Sequence, residues 1–196
     1  MALQEQEEVR ALFAQRNEIN KRLNELLKNT ALGETEDYRL HGPNGDTTAL
    51  SDLFGDKSDL IVIQNMGQSC RYCTMWADGF MGVKQHLEDR AAFALVSPDS
   101  PSEQQAFAKS RGWTFRILSS HGTPFKKDLG FESETGDQSP GVSTFRREGT
   151  KLINIANDFF GPGDSYCAVW HLYDLLHGGA DGWEPQYEYV AAAPES

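Results

Sequence analysis

Cysteine is scarce in this chain, and clusters of basic residues and long apolar runs are missing. Only 3 of its 196 residues are cysteine, an odd number that does not fit a framework of structural disulfides. The chain carries 29 acidic and 18 basic residues, for a net charge of −11. Nucleic acids and anionic membrane surfaces need a basic footprint, so the composition argues against both as partners. No apolar run approaches the roughly 20 residues that span a bilayer.

Signals for export and for nucleotide cofactors are missing as well. Met1 is followed by ALQEQEE, which is acidic where a secretory leader is basic. The sequence has neither a glycine-rich dinucleotide fingerprint nor a phosphate-loop pattern, so we predict no cofactor. We expect a soluble, cytoplasmic protein. In a reducing compartment, a closely spaced cysteine pair is more often redox-active or metal-binding than structural.

The most informative motif is C-R-Y-C, in which Cys70 and Cys73 follow an apolar run at 60–66. The run predicts a strand, residues 67–69 a loop, and the residues after the cysteines a helix. A helix N-terminus carries about half a positive charge and unpaired N–H groups, which stabilise a thiolate. Cys70, at the very end, gains most, and Arg71 beside it adds to the effect. We therefore predict that Cys70 is a nucleophile and Cys73 a resolving thiol in thiol–disulfide exchange.

The N-terminal segment predicts one long helix over residues 4–27, which contain neither proline nor glycine. We divide the chain into an N-terminal helical arm at 1–35 and one domain at 36–196. A helix with an apolar stripe must pack on its own domain or on a partner, so intrachain packing and a homodimer through this helix are both open. The stripe consists of Val9, Leu12, Phe13, Ile19, Leu23, Leu26 and Leu27.

The rest of the chain alternates strand and helix patterns. Strands are predicted at 60–66, 92–96, 115–119, 142–147 and 151–155. A helix is predicted after Ser100, because Pro101 fits its first position and Glu103 completes a capping box. A last helix is predicted at 164–176, with Asp164 as its cap. This order predicts an α/β fold with a central mixed sheet covered by helices on both faces.

Several ordered segments of the sequence are similar to one known family. They are residues 38–45, 50–55, 78–80, 112–115 and 125–130. Together they resemble DUF899, a bacterial family of thioredoxin-like proteins with a peroxiredoxin-like fold, described as predicted dithiol-disulfide oxidoreductases. The resemblance covers most of residues 36–190. It implies a thioredoxin-like fold and a redox-active C-x-x-C pair.

The sequence also departs from the motifs of the larger groups. Thioredoxins place a proline that faces the dithiol at the start of the hairpin strand; here Ser143 precedes Thr144, and the nearest proline is Pro140. The peroxiredoxin signature P-x-x-x-T-x-x-C has Ile63 and Gly67 in its proline and threonine positions. A non-catalytic thioredoxin-like binding module is therefore an open alternative. The predicted surroundings of the dithiol are Arg71, Tyr72, Trp76, Ser143 and Thr144.

A metal site is a second alternative. Cys167 and His171 are four residues apart and would lie on one face of the last predicted helix. With Cys70 and Cys73 they would provide a Cys3His set, which is a known tetrahedral zinc combination. For the redox interpretation, the expected partner is a disulfide-containing protein or a small thiol or disulfide, with electrons supplied by another thiol.

Overall fold

The computed structural model describes residues 3–189, and the side chains of residues 5–189. The helices within this range are α1 Leu3–Asn29, α2 Arg71–Arg90, α3 Pro101–Arg111, α4 Phe125–Asp128 and α5 Ala168–Tyr173. The strands are β1 Gly33–Thr35, β2 Arg39–His41, β3 Thr47–Ala49, β4 Asp59–Gln64, β5 Ala92–Ser97, β6 Arg116–Ser119, β7 Gly141–Glu148 and β8 Lys151–Phe159. A 3₁₀ turn, Leu50–Phe54, lies between β3 and β4.

The described strands form one mixed sheet in the order β1-β8-β7-β4-β5-β6-β2-β3. Strands β4, β5 and β6 are parallel, and β7 runs antiparallel to β4. The parallel crossovers use α2 and α3, as expected for strands that alternate with helices. Strand β4 lies in the interior of this sheet, between β7 and β5. Its carboxyl end leads into the loop before the dithiol.

Two apolar clusters cover the two faces of the sheet. Successive strand residues point to opposite faces, so Leu60 and Val62 join one cluster while Ile61 and Ile63 join the other. The first cluster contains the 3₁₀ turn and Phe125 of α4. The second contains Cys73 of α2 and Trp170 of α5. The predicted α/β class with a mixed central sheet is confirmed.

Local sequence signals account for several element boundaries. Ser100 caps α3. Its hydroxyl accepts the N–H of Glu103, and the Glu103 carboxylate accepts the N–H of Ser100. The helix ends at Gly112 in the left-handed conformation, which glycine adopts without strain. The last helix is shorter than predicted. Asp164 accepts the N–H groups of Tyr166 and Cys167 in a turn, and α5 begins only at Ala168.

The N-terminal helix α1 is exposed over its described length, including Leu12, Ile19 and Leu23. Its apolar stripe therefore faces solvent rather than the domain. After the helix, β1 pairs with β8 and joins the sheet. The boundary at 35/36 stays a prediction. No helix of the described residues is both long enough and apolar enough to cross a membrane.

Candidate active site

Cys70 is the N-cap residue of α2. Its backbone is extended, and its Sγ accepts the backbone N–H of Cys73 at 3.0 Å. The Cys70 carbonyl accepts both the N–H and the hydroxyl of Thr74. The thiol thus occupies the position where a capping side chain normally satisfies an orphan N–H of the first turn. Both cysteines are free and lie close together, although not at disulfide distance.

The loop that delivers Cys70 is fixed by Asn65 and Gly67. The Asn65 side chain accepts the N–H of Gly67 at 2.7 Å and donates to the Cys73 carbonyl at 3.4 Å. Gly67 has a φ of +107°, and a Cβ there would lie 2.7 Å from Oδ1 of Asp99. Asp99 in turn accepts the N–H of Gln68 at 2.9 Å. Only glycine combines this backbone conformation with this close approach.

The two thiols differ in acidity. The hydrogen bond with the Cys73 thiol, together with backbone N–H groups and the charge of Lys126, lowers the pKa of Cys70 to about 7 against the effect of burial. The same hydrogen bond, followed by burial and the Cys70 charge, raises the pKa of Cys73. Cys70 is partly exposed while Cys73 is buried. One thiol is therefore suited to attack from solvent, and the other is held protonated behind it.

Lys126 is a buried charged residue near the dithiol that the sequence did not reveal. It is fully buried, and its Nζ donates to the Asn65 carbonyl at 2.5 Å. Burial lowers the pKa of this lysine to about 8, although the charges of both cysteines oppose that effect. An ammonium group thus lies within electrostatic reach of the dithiol. The local pattern F-K-K-D carries no signal that separates buried Lys126 from exposed Lys127.

Aromatic rings surround the start of α2. Tyr72 lies 6.2 Å, between ring centroids, from both Trp76 and Trp170. Trp76 is buried and lies 5.3 Å from Phe160. Trp76 and Cys73 belong to the same apolar cluster. These rings keep water from the buried side of the dithiol.

The C-terminal segment 183–189 lies over the dithiol loop. The Tyr187 hydroxyl donates to the Gln68 carbonyl at 2.9 Å. Arg71 pairs with Glu184 at 3.0 Å, so its guanidinium turns toward this segment. The Tyr187 carbonyl accepts from Arg111 at 2.6 Å. The loop is therefore held from outside by a part of the chain more than a hundred residues away.

Ser143 and Thr144 lie on β7, beside β4. The buried Ser143 hydroxyl accepts from the Gln64 side chain at 3.0 Å. Thr144 pairs in register with Ile61 and lines a groove with Arg90 and Ile153. Among the described residues, neither side chain makes a hydrogen bond to a cysteine. No cis peptide bond occurs between residues 3 and 189, so the hairpin strand lacks the cis-proline of thioredoxins.

The alternative zinc set is not assembled. Cys167 is buried in the same apolar cluster as Cys73, and burial raises its pKa. The His171 ring instead lies 3.7 Å from Asp174. Residues 3–189 contain no group of three or more ligating side chains that could hold a metal ion. The structure does not support this alternative, because Cys167, the residue before α5, lies in the cluster with Cys73 while the His171 ring faces Asp174.

The mixed sheet, with the cysteine pair at the start of α2, has the thioredoxin-like fold in its peroxiredoxin-like arrangement. Three solved structures show this fold. A peroxiredoxin-like protein from Aquifex aeolicus is 15% identical, with a TM-score of 0.54, over 66% of this chain and 75% of its own. A cysteine variant of Xanthomonas campestris peroxiredoxin Q is 17% identical, with a TM-score of 0.54, over 66% and 87%. Reduced Prx3 of Vibrio vulnificus, in complex with hydrogen peroxide, is 13% identical, with a TM-score of 0.56, over 67% and 87%.

Residues 4–196 match the family described as "Bacterial protein of unknown function (DUF899)". The chain belongs to this family, and the resemblance seen in the sequence is confirmed. No protein with a curated description matches the chain.

Proposed function

We propose that this protein is a thiol–disulfide oxidoreductase in which Cys70 is the nucleophile and Cys73 the resolving thiol. The observation that carries the proposal is the position of Cys70, whose Sγ caps α2 and accepts the N–H of Cys73 at 3.0 Å. The hydrogen bond with the Cys73 thiol and the backbone N–H groups of this position lower the pKa of Cys70 to about 7. A thiol whose pKa lies near ambient pH combines a large thiolate fraction with good nucleophilicity.

The proposed reaction has two exchange steps. The Cys70 thiolate attacks one sulfur of a substrate disulfide, a mixed disulfide forms, and the first substrate thiolate leaves with the electron pair of the broken bond. The released substrate thiolate takes up the proton of Cys73, and the Cys73 sulfur attacks the Cys70 sulfur. The Cys70–Cys73 disulfide forms, and the second substrate thiolate leaves. The substrate gains two electrons, and the protein dithiol loses them.

The substrates that fit this site are a disulfide-containing protein or a small disulfide, and a thiol would return the electrons. The dithiol is partly covered by segment 183–189, while Cys70 keeps exposed surface. Only the outer thiol therefore needs to reach the substrate. The buried Cys73 acts after the mixed disulfide has formed.

Cysteine variants test this proposal with glutathione disulfide as the probe. We expect Cys70→Ser to abolish its reduction. Cys73→Ser should stop at a mixed disulfide that carries one glutathione, detectable by intact mass. Cys167→Ser is the matched control, because its thiol is buried and has no role in the steps above; we expect full exchange. Exchange that persists in folded Cys70→Ser would refute the proposal.

The same experiment addresses the alternative of a non-catalytic binding module. A module whose dithiol is incidental would exchange no faster than a free small thiol, and neither Cys70→Ser nor Cys73→Ser would change its behaviour. We also propose that the exposed stripe of α1 forms a homodimer contact and that the protein works in the reducing cytoplasm. Neither proposal is needed for the exchange steps.

A further inference from the structure

Lys126 is unusual because a lysine side chain is almost never fully buried without a paired charge. Its exposed fraction is 0%. Among the described residues, Nζ makes one hydrogen bond, to the Asn65 carbonyl at 2.5 Å. An ammonium group removed from water with a single acceptor is destabilising. The cost suggests that the charge serves a neighbour rather than the stability of the fold.

The neighbours of Lys126 identify the dithiol as that group. Asn65, which binds Nζ through its carbonyl, donates from its side chain to the Cys73 carbonyl at 3.4 Å. A single residue thus bridges the lysine and the resolving cysteine. The adjacent Lys127 points outward and pairs with Glu134 at 2.6 Å.

We propose that Lys126 is a positioning residue whose buried ammonium stabilises the thiolate form of the reduced dithiol and so favours the reduced state of the pair. This inference rests on the proposed function. The disulfide carries no negative charge, so the dithiol offers the ammonium a counter-charge only while the cysteines are reduced. The effect is mutual, and reduction of the pair stabilises the proton on Lys126.

The charges around Lys126 agree with this coupling. The groups that act on it are Cys70 and Cys73 from α2, Asp99 from the loop after β5, and Glu132 after α4. Burial lowers the pKa of Lys126 to about 8, and these four groups oppose the effect when they are ionised. Cys70, the thiol that ionises near neutral pH, loses its negative charge when the disulfide forms. The oxidised protein therefore holds the proton on Lys126 less tightly.

The coupling shifts the redox equilibrium between the protein and a thiol. In the equilibrium between the protein and glutathione, two glutathione thiols reduce the protein disulfide, and two electrons pass to Cys70 and Cys73. A charge that stabilises the resulting thiolate moves this equilibrium toward the reduced protein. The oxidised protein is then a stronger oxidant of other thiols than the same disulfide would be without Lys126.

The test compares Lys126→Met with Lys127→Met. Each variant removes one charge from α4, but only the first removes the buried one. We expect Lys126→Met to raise the pKa of Cys70, measured by thiolate absorbance. It should also shift the glutathione equilibrium at pH 8 toward the protein disulfide by about fivefold, the effect at this pH of raising a pKa of about 7 by one unit. Lys127→Met should match the wild type in both measurements.

A merely structural role would lower the thermal midpoint and leave both measurements unchanged, and that result would overturn the proposal. Replacing a buried charge with an apolar side chain is often tolerated, so we expect the variant to fold. A second measurement does not need the Lys126→Met variant. The ε-methylene NMR signal of Lys126 should titrate at lower pH in Cys70→Ser/Cys73→Ser than in the reduced wild type, and an unchanged midpoint would overturn the proposal.

The two proposals fail in different ways. If the wild type does not exchange with glutathione disulfide but Lys126→Met raises the Cys70 pKa, the proposed function falls and the electrostatic role of Lys126 stands. If the wild type exchanges and Lys126→Met changes neither the thiol pKa nor the equilibrium, the proposed function stands and the inference on Lys126 falls.

Discussion

The backbone N–H of Cys73 donates to Sγ of Cys70 at 3.0 Å. This contact makes the first cysteine the capping group of the helix that carries the second. A thiolate is a better acceptor for this N–H than a thiol is, because the acceptor then carries the charge. The geometry therefore favours ionisation of Cys70 while Cys73 remains buried and protonated.

The ionisation of Cys70 makes stability depend on pH. The folded protein has a Cys70 pKa of about 7, against an ordinary value of 9.0. A thiol whose pKa is lowered by folding contributes stability that is complete above about pH 9 and is lost as pH falls through about 7. We expect the free energy of unfolding of the reduced wild type to rise relative to that of Cys70→Ser across this window. Urea unfolding at several pH values measures this difference in free energy. If the free energies of the two proteins change with pH in parallel, the lowered pKa of Cys70 is contradicted.

The variant Gly67→Ala tests whether the loop before the dithiol requires glycine. The φ of Gly67 is +107°, and a Cβ would lie 2.7 Å from Oδ1 of Asp99. We expect Gly67→Ala to lower the free energy of unfolding by at least about 1 kcal/mol and to slow alkylation of Cys70. Gly161→Ala is the control, because nothing lies within 4 Å of a Cβ there. Equal stability of the two variants, measured by urea unfolding, would show that the loop does not require glycine.

Tyr187 tests the contact between segment 183–189 and the dithiol loop. Its hydroxyl donates to the Gln68 carbonyl at 2.9 Å, a bond worth about 1 kcal/mol. We expect Tyr187→Phe to lose that stability and to speed alkylation of Cys70, because the loop is less firmly held. Tyr173→Phe is the control, since its hydroxyl makes no hydrogen bond within residues 3–189. The two variants should differ in alkylation rate, and identical rates would refute the contact's role.

The prediction of a homodimer concerns the exposed stripe of α1. Leu12 and Leu23 are about half exposed, at 56% and 50%. If a second copy covers the stripe, Leu12→Glu and Leu23→Glu should convert a dimer into a monomer in sedimentation experiments. Lys21→Gln changes the charge equally on the opposite side of the helix and should leave the dimer intact. A monomeric wild type would end this proposal.

Local signals in the sequence were sufficient for much of the fold. The capping box of Ser100 and Glu103 placed α3 correctly, because both partners lie within one helical turn. The apolar run before Cys70 likewise placed β4 and the start of α2. The last helix was predicted too long, because Asp164 caps a separate turn before α5.

The features that depend on distant contacts could not be predicted. Lys126 meets Asn65, 61 residues earlier in the chain, and Tyr187 meets Gln68, 119 residues earlier. Neither contact leaves a periodic pattern in the sequence. The cysteine pair could therefore be recognised as a motif, while the buried charge of Lys126 required the tertiary structure.

The most direct test of the central claim is the pH dependence of alkylation, followed for each cysteine by peptide mass spectrometry on the reduced protein. The lowered pKa of Cys70 predicts a rate that rises with a midpoint at about pH 7. Cys73 and Cys167, whose pKa values are raised, should react far more slowly at neutral pH. A Cys70 midpoint near its ordinary value of 9.0, or a rate no higher than that of Cys167, would contradict the account.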